Sequence, residues 1–208
     1  MQIPLMEKSC VLFDLGGVII NWHNSWFIEE LSEQFNLQKA DLKKQFYSNL
    51  RDISTGVIAE KEFWQKIGEQ LQSPELRDTK ESLLDKIFRK RMSFNQPMIE
   101  LSKTIAQKGI TVGILSNTEH VTYSVVEDLT SLNHFKHKFL SYKIGHLKPE
   151  PQIYQHVIKN LPFKKEELLF IDDLKSNVES AKSSGIDAVQ YSDFDELLAE
   201  CKKRDIPN

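Results

Sequence analysis

The chain has 208 residues, 40% hydrophobic and 27% charged, room for one compact unit or for a core with a modest insertion. Net charge is −3 with acids and bases interspersed, and no Lys/Arg block offers the footprint that nucleic acid needs as a main partner. The two cysteines, Cys10 and Cys201, lie near opposite ends without metal-type spacing, which favours a reducing compartment over a disulfide framework.

The start, MQIPLMEKSC, has no long apolar stretch, and VLFDLGGVII is short and interrupted by Asp14. Neither a signal peptide nor a membrane span is predicted, and the chain reads as soluble and cytoplasmic. VLFDL (11–15) is the first predicted strand. From 22 to 94 the spacings turn helical: Phe27, Leu31, Phe35; Leu42, Phe46, Leu50; Phe63, Ile67, Leu71; then Leu84, Ile87 and Phe88. Asp78 with Glu81 looks like a capping pair, and no proline between Pro4 and Pro74 forbids long helices. Four helices are too many for one crossover, so this segment is predicted to be a helical cap over the end of strand one. Its aromatics (Trp26, Phe35, Phe46, Trp64 among them) are expected to form mostly a small core of its own, with Trp22 the best candidate to line a pocket.

From residue 95 onward strands and helices alternate. The predicted strands are ITVGIL (110–115), KFLSY (138–142), LLFID (168–172) and IDAVQY (186–191). Near-continuous apolar runs of this kind are expected of strands covered on both faces. Helices are expected from Pro97 to Gly109, after Pro149-Glu150-Pro151, and from about Ser176 to Ser184, stopping at Gly185. The alternation predicts an α/β fold with a parallel, doubly wound sheet, Rossmann-like in residues 1–21 and 95–208, carrying the cap at 22–94.

In such sheets ligands bind at the carboxyl ends of the strands. The residues just past each run are Asp14, Ser116-Asn117-Thr118, Lys148 and Asp172-Asp173. Each alone is an ordinary turn, cap or surface residue; together they put three carboxylates, a hydroxyl and a lysine on one rim. Acids that close repel unless one stays protonated or a cation binds, and all-oxygen ligands favour a hard ion, most plausibly Mg²⁺. Lysine and hydroxyl suit a phosphate, so the set points to phosphoryl transfer through an acyl phosphate on aspartate.

The fragments FDLGGV, LSNT, KPEPQIY and FIDDLKSNVESAKSSG, in this order, resemble the haloacid dehalogenase superfamily along essentially the whole chain. FDLGGV with SNT, KP and IDD is similar to its small sugar-phosphate phosphatases with a helical cap after the first motif. The resemblance implies that Asp14 is the nucleophile, Ser116 a phosphate ligand with the Asn117 main chain beside it, and Lys148 the charge-balancing lysine. It implies Asp173 as a direct metal ligand, Asp172 as one acting from behind or through water, and strands one, two and four side by side. Asn177, Ala181 and Gly185 read as structural.

The family commonly carries a second aspartate two places after the nucleophile, as general acid and base. Gly16 stands there, with only its carbonyl to offer the metal. General acid–base help is worth ~100 to 10,000-fold, so a slower enzyme is the expectation. Water, the substrate, His23 or His146 are the alternative proton carriers, and Trp22, His23, Arg51 and Trp64 are the side chains to test for substrate contact. The predicted function is a Mg²⁺-dependent phosphatase for a small phosphorylated metabolite, a sugar phosphate first, as monomer or homodimer. A metal-independent dehalogenase and a non-catalytic binding protein are the alternatives.

Overall fold

Four of the five long apolar runs become strands in which alternate residues face opposite sides, and both sides are covered. The computed structural model describes residues 8–207; residues 1–7 and 208, with Pro4 and both extremities of the proposed core, lie outside the described residues. Strand β1 (Cys10–Phe13) is followed by the short β2 (Ile20–Asn21). Next come helices α1 (Ser25–Gln34), α2 (Lys39–Ser54), α3 (Glu60–Gln70), α4 (Pro74–Arg77) and α5 (Leu83–Arg91), then β3 (Ser93–Phe94). The rest runs α6 (Gln96–Gln107), β4 (Thr111–Ser116), α7 (His120–Leu129), β5 (Phe135–Leu140), α8 (Ser141–Ile144) and α9 (Pro151–Asn160). It ends with β6 (Leu168–Asp172), α10 (Lys175–Ser183), β7 (Asp187–Gln190) and α11 (Phe194–Lys202).

The sheet is five-stranded and parallel, ordered β5-β4-β1-β6-β7. Thus β4 and β6 flank β1, as the resemblance implied. Val11, Phe13, Leu169 and Ile171 join one buried cluster, and Cys10, Leu12, Leu168 and Phe170 join another on the opposite face. Helices α9 and α10 cover the second face through Ile153, Tyr154, Val157, Val178 and Ala181. Both cysteines are buried and free. No helix among the described residues is long and apolar enough to cross a membrane.

Three local expectations change. KFLSY does not form one strand: β5 starts earlier, at Phe135, and Ser141 and Tyr142 open a helical turn. The cause is position, because β5 is an edge strand whose Lys136 and Lys138 face solvent, so its apolar signal is diluted. Asp78 and Glu81 do not form an N-terminal capping pair; Asp78 ends α4 at its C-terminus, the two acids pair with Arg77 and Lys86, and Ser82 caps α5 by accepting from Asp85 N–H at 3.1 Å. Helices α7 and α11, unsignalled by proline or glycine punctuation, are additional.

Helices α1 to α5 leave the sheet between β2 and β3, which pair antiparallel as Ile20↔Phe94 and Asn21↔Ser93. Their buried side chains, Phe27, Phe46, Phe63, Trp64 and Phe88 included, are continuous with the cluster on one face of the sheet. The aromatic residues therefore do not form a separate core. Helix α5 packs on α7, which carries the apolar contact across.

Candidate active site

Strand β1 delivers Asp14 to the open rim of the sheet while its N–H still bonds to Ile171 O at 2.9 Å, so the backbone stays tied to β6 as the side chain emerges. The side chain is almost enclosed, with Oδ1 accepting from Leu15 N–H at 2.7 Å. Lys148 reaches the same oxygen at 2.8 Å, Asp172 Oδ2 at 2.7 Å and Leu115 O at 2.9 Å. Three acceptors use all three ammonium protons, which fixes the lysine head.

The two adjacent aspartates divide their work. Asp172, fully buried, binds Lys148, Asn177 Nδ2 at 3.0 Å and Leu174 N–H at 2.8 Å. With its lone pairs filled, it braces the lysine. Asp173 is half-buried and has no side-chain partner among the described residues. Oxygens of Asp14, Asp172 and Asp173 lie within 4.8 Å of one another. Since Asp172 is committed to Lys148, the carboxylate groups left to hold a metal are the second oxygen of Asp14 and Asp173.

Charge shows the same need. Burial, reinforced by Asp172 and Asp173 and opposed by Lys148, pushes the Asp14 carboxyl up to about 7. Burial and Asp172 also raise Asp173, while Lys148 and His23 pull it down. Burial disfavours the Lys148 ammonium, but Asp14 and Asp172 outweigh it and hold its pKa above the ordinary value. Three carboxylates against one ammonium leave excess negative charge, and an all-oxygen set with two uncommitted carboxylates fits a hard divalent cation.

The glycines after Asp14 are not equivalent. Gly17 has φ +76°, and a Cβ there would lie 2.4 Å from Asp173 Oδ2, so only glycine lets the turn pass this carboxylate. A Cβ at Gly16 would meet nothing within 4 Å, so that position is open space at the site.

Ser116, at the end of β4, is 2% exposed. Asn117 uses its side chain on the other loop, donating to Lys148 O and accepting from Lys148 N–H, both at 2.8 Å. Gly16, Ser116, Asn117, Leu147 and Leu174 border a cavity of about 270 Å³, so the immediate neighbours of Asp14, Lys148 and Asp173 meet there. The opposite contributions come from α1, α2, α3 and α5. Those helices are tethered to the rim: Ser141 Oγ accepts from Thr118 N–H at 2.9 Å and donates to Ser54 O at 2.6 Å, and Arg51 pairs with Glu150.

Of the side chains singled out for substrate contact, Trp22 lines the cavity, with Nε1 donating to Asn24 Oδ1. His23 is exposed against Trp26, near enough to Asp173 to act on its charge, but does not border the cavity. Trp64 is buried elsewhere, donating to Glu60, while Arg51 and His146 both engage Glu150. The cavity residues that sequence reasoning passed over are Glu119, Thr122, Leu50 and the rings of Phe27, Phe63 and Phe88. Glu119 directly follows LSNT, which was the available signal; the rings had none beyond helical spacing.

Residues 11–191 match the haloacid dehalogenase-like hydrolase family. The bifunctional epoxide hydrolase 2 of Rattus norvegicus is 30% identical over 130 residues, 58% of this chain and 23% of that protein, so the chain spans under a quarter of this relative. A D-ribitol-5-phosphate phosphatase of Bacteroides thetaiotaomicron is 26% identical over 193 residues, 86% of this chain and 90% of that one. A crystal structure of a HAD family enzyme from the same organism, in complex with magnesium and inorganic phosphate, superposes with a TM-score of 0.76 at 23% identity, covering 91% of this chain and 98% of that one. With its four motifs gathered on one rim and the match running through nearly all of the sheet, the chain belongs to the haloacid dehalogenase-like hydrolase family.

Proposed function

We propose that this chain hydrolyses the phosphate monoester of a small metabolite with Mg²⁺ as cofactor, through an aspartyl phosphate on Asp14. The observation that carries the reading is the division of the carboxylates: Lys148 binds Asp14 and Asp172, while the other Asp14 oxygen and Asp173 stay uncommitted. Asp14, Asp173 and the Gly16 carbonyl would hold Mg²⁺, which would supply Lewis-acid neutralisation of charge on the phosphate and the nucleophile. A related enzyme crystallised with magnesium and phosphate supports this choice of ion.

Asp14 attacks phosphorus with Oδ1, the oxygen that Lys148 and the Leu15 N–H hold in place, leaving its other oxygen to the metal, and the P–O bond to the alcohol breaks as the new one forms. Lys148 holds the attacking carboxylate in place and offsets its charge. The Ser116 hydroxyl donates to a phosphate oxygen. The leaving alkoxide takes its proton from water or from the substrate itself, because Gly16 carries no acid and His146 is turned to Glu150. Water then attacks phosphorus, releases inorganic phosphate and restores the Asp14 carboxylate. Helices α1 to α5 act as the cap that excludes bulk water. The D-ribitol-5-phosphate phosphatase supports a small phosphomonoester as substrate.

The test is a panel of phosphomonoesters assayed with Mg²⁺ and with chelator, for the wild type and Asp14→Asn. Metal-dependent turnover that the variant loses is the expected result. Chelator-insensitive turnover, or an undiminished variant, sinks the reading. Halide release from haloacids without metal points to dehalogenation instead, and binding without hydrolysis to a non-catalytic protein.

A further inference from the structure

We propose that the ester processed here carries an apolar body, branched aliphatic or aromatic, in place of a polyhydroxylated one. The inference rests on the phosphatase reading above and narrows its substrate away from sugar phosphates. It comes from the walls of the cavity that starts at Gly16 and Ser116. Beyond that rim the walls include Phe27, Phe46, Ile53, Phe63, Leu84 and Phe88, none more than 4% exposed over its whole surface. Leu174, 54% exposed, adds an apolar residue where the cavity borders the Asp173 loop.

Several of the polar groups among these walls are already engaged. Asn24 Oδ1 accepts from Trp22 Nε1 at 2.9 Å. The Thr118 and Thr122 hydroxyls face each other at 3.2 Å, and Ser54 O is taken by Ser141. Glu119 is the one ionisable side chain among the described lining residues. Burial raises its carboxyl, with a hydrogen bond from Thr122 opposing.

A sugar or polyol phosphate brings several hydroxyls. Each loses water on entry and needs a partner, and rings and methyl groups supply none. An apolar body loses no hydrogen bonds, gains from leaving water, and meets aromatic edges and faces. Phosphate affinity is the same for both kinds of ester, so the wall decides between them.

The test compares kcat/KM with Mg²⁺ for benzyl phosphate and isopentenyl monophosphate against ribitol phosphate and glycerol phosphate. The apolar pair is expected to lead by at least ~10-fold. Leu50→Asn, at a half-buried lining position, is expected to shrink that ratio about threefold or more, with an unfolding midpoint taken to show that the variant folds. Competitive inhibition of the wild type by benzylphosphonate, stronger than by a phosphonate of ribitol, gives the same answer without any variant. Equal or reversed preference in the esters or the inhibitors overturns this inference and leaves the phosphatase reading standing. Failure to hydrolyse any ester overturns the phosphatase reading and takes the inference with it.

Discussion

The rim at the strand ends and the cavity wall above it bound one space by opposite physics. At the rim the charges around Lys148 are held by named partners: Lys148 spends three protons, and Asp172 is filled by Lys148, Asn177 and Leu174. Charge-assisted hydrogen bonds in a buried setting hold such groups in one geometry, and removing one member strands the others. On the wall the contacts are ring on ring, Trp22 with Phe27 at 4.7 Å and with Phe88 at 4.6 Å, Phe46 with Phe63 at 5.4 Å. These depend on shape and area, so size changes there alter selection more gradually. On the proposed reading, the comparison assigns chemistry and choice of substrate to separate elements, the sheet for one and the inserted helices for the other.

The sharpest way to break the rim is Asp14→Asn. The amide oxygen can still face Lys148, so the fold is kept while kcat/KM falls on the order of 10,000-fold or more. Lys148→Met leaves Asp14 and Asp172 buried without their cation; urea titration is expected to show a loss of ~3–5 kcal/mol. The two adjacent glycines offer a gain against a loss. Gly16→Asp places a carboxyl in open space and is expected to raise kcat by up to ~100-fold for esters with poor leaving groups. Gly17→Ala crowds Asp173 and is expected to weaken Mg²⁺ binding, read by isothermal titration. An equally active Gly17→Ala variant contradicts the placement of the metal.

Ser141→Ala tests the link between the regions. It removes the hydroxyl that joins Thr118 to Ser54, and a stability loss of ~1–3 kcal/mol is expected in denaturant melts. The mildest effect is one of pH. Because the Asp14 carboxyl is raised to about 7 without metal, its contribution to stability is complete below its ordinary value of 3.8 and is lost as pH rises through about 7. The same loss of a proton readies Asp14 for a cation. The Mg²⁺-induced rise in Tm should therefore be larger at about pH 8 than at about pH 6. A rise independent of pH would contradict the assignment of Asp14 as a ligand.

Much of the sheet was readable because local patterns encode it. Doubly covered strands such as LLFID need apolar residues on both sides, and that leaves an unbroken run in the sequence. Edge strand β5 was misplaced for the converse reason, since Lys136 and Lys138 need no cover. Carboxylates directly after apolar runs marked the rim, because a strand running out of the sheet must deliver its next side chain to the open end.

What the sequence determined by itself was therefore the order of strands and inserted helices, the four fragments bound for one rim, and the missing carboxylate at Gly16. Those features are local, carried by a residue and its neighbours. Only the tertiary structure decided that Asp172 braces Lys148 while Asp173 stays uncommitted, that Asn117 holds the lysine loop, and that Phe27, Phe46, Phe63 and Phe88 face a cavity with Glu119. Each of these depends on which distant segments pack together. Helical spacing says that a ring is turned inward, but what lies opposite it is set by the rest of the chain.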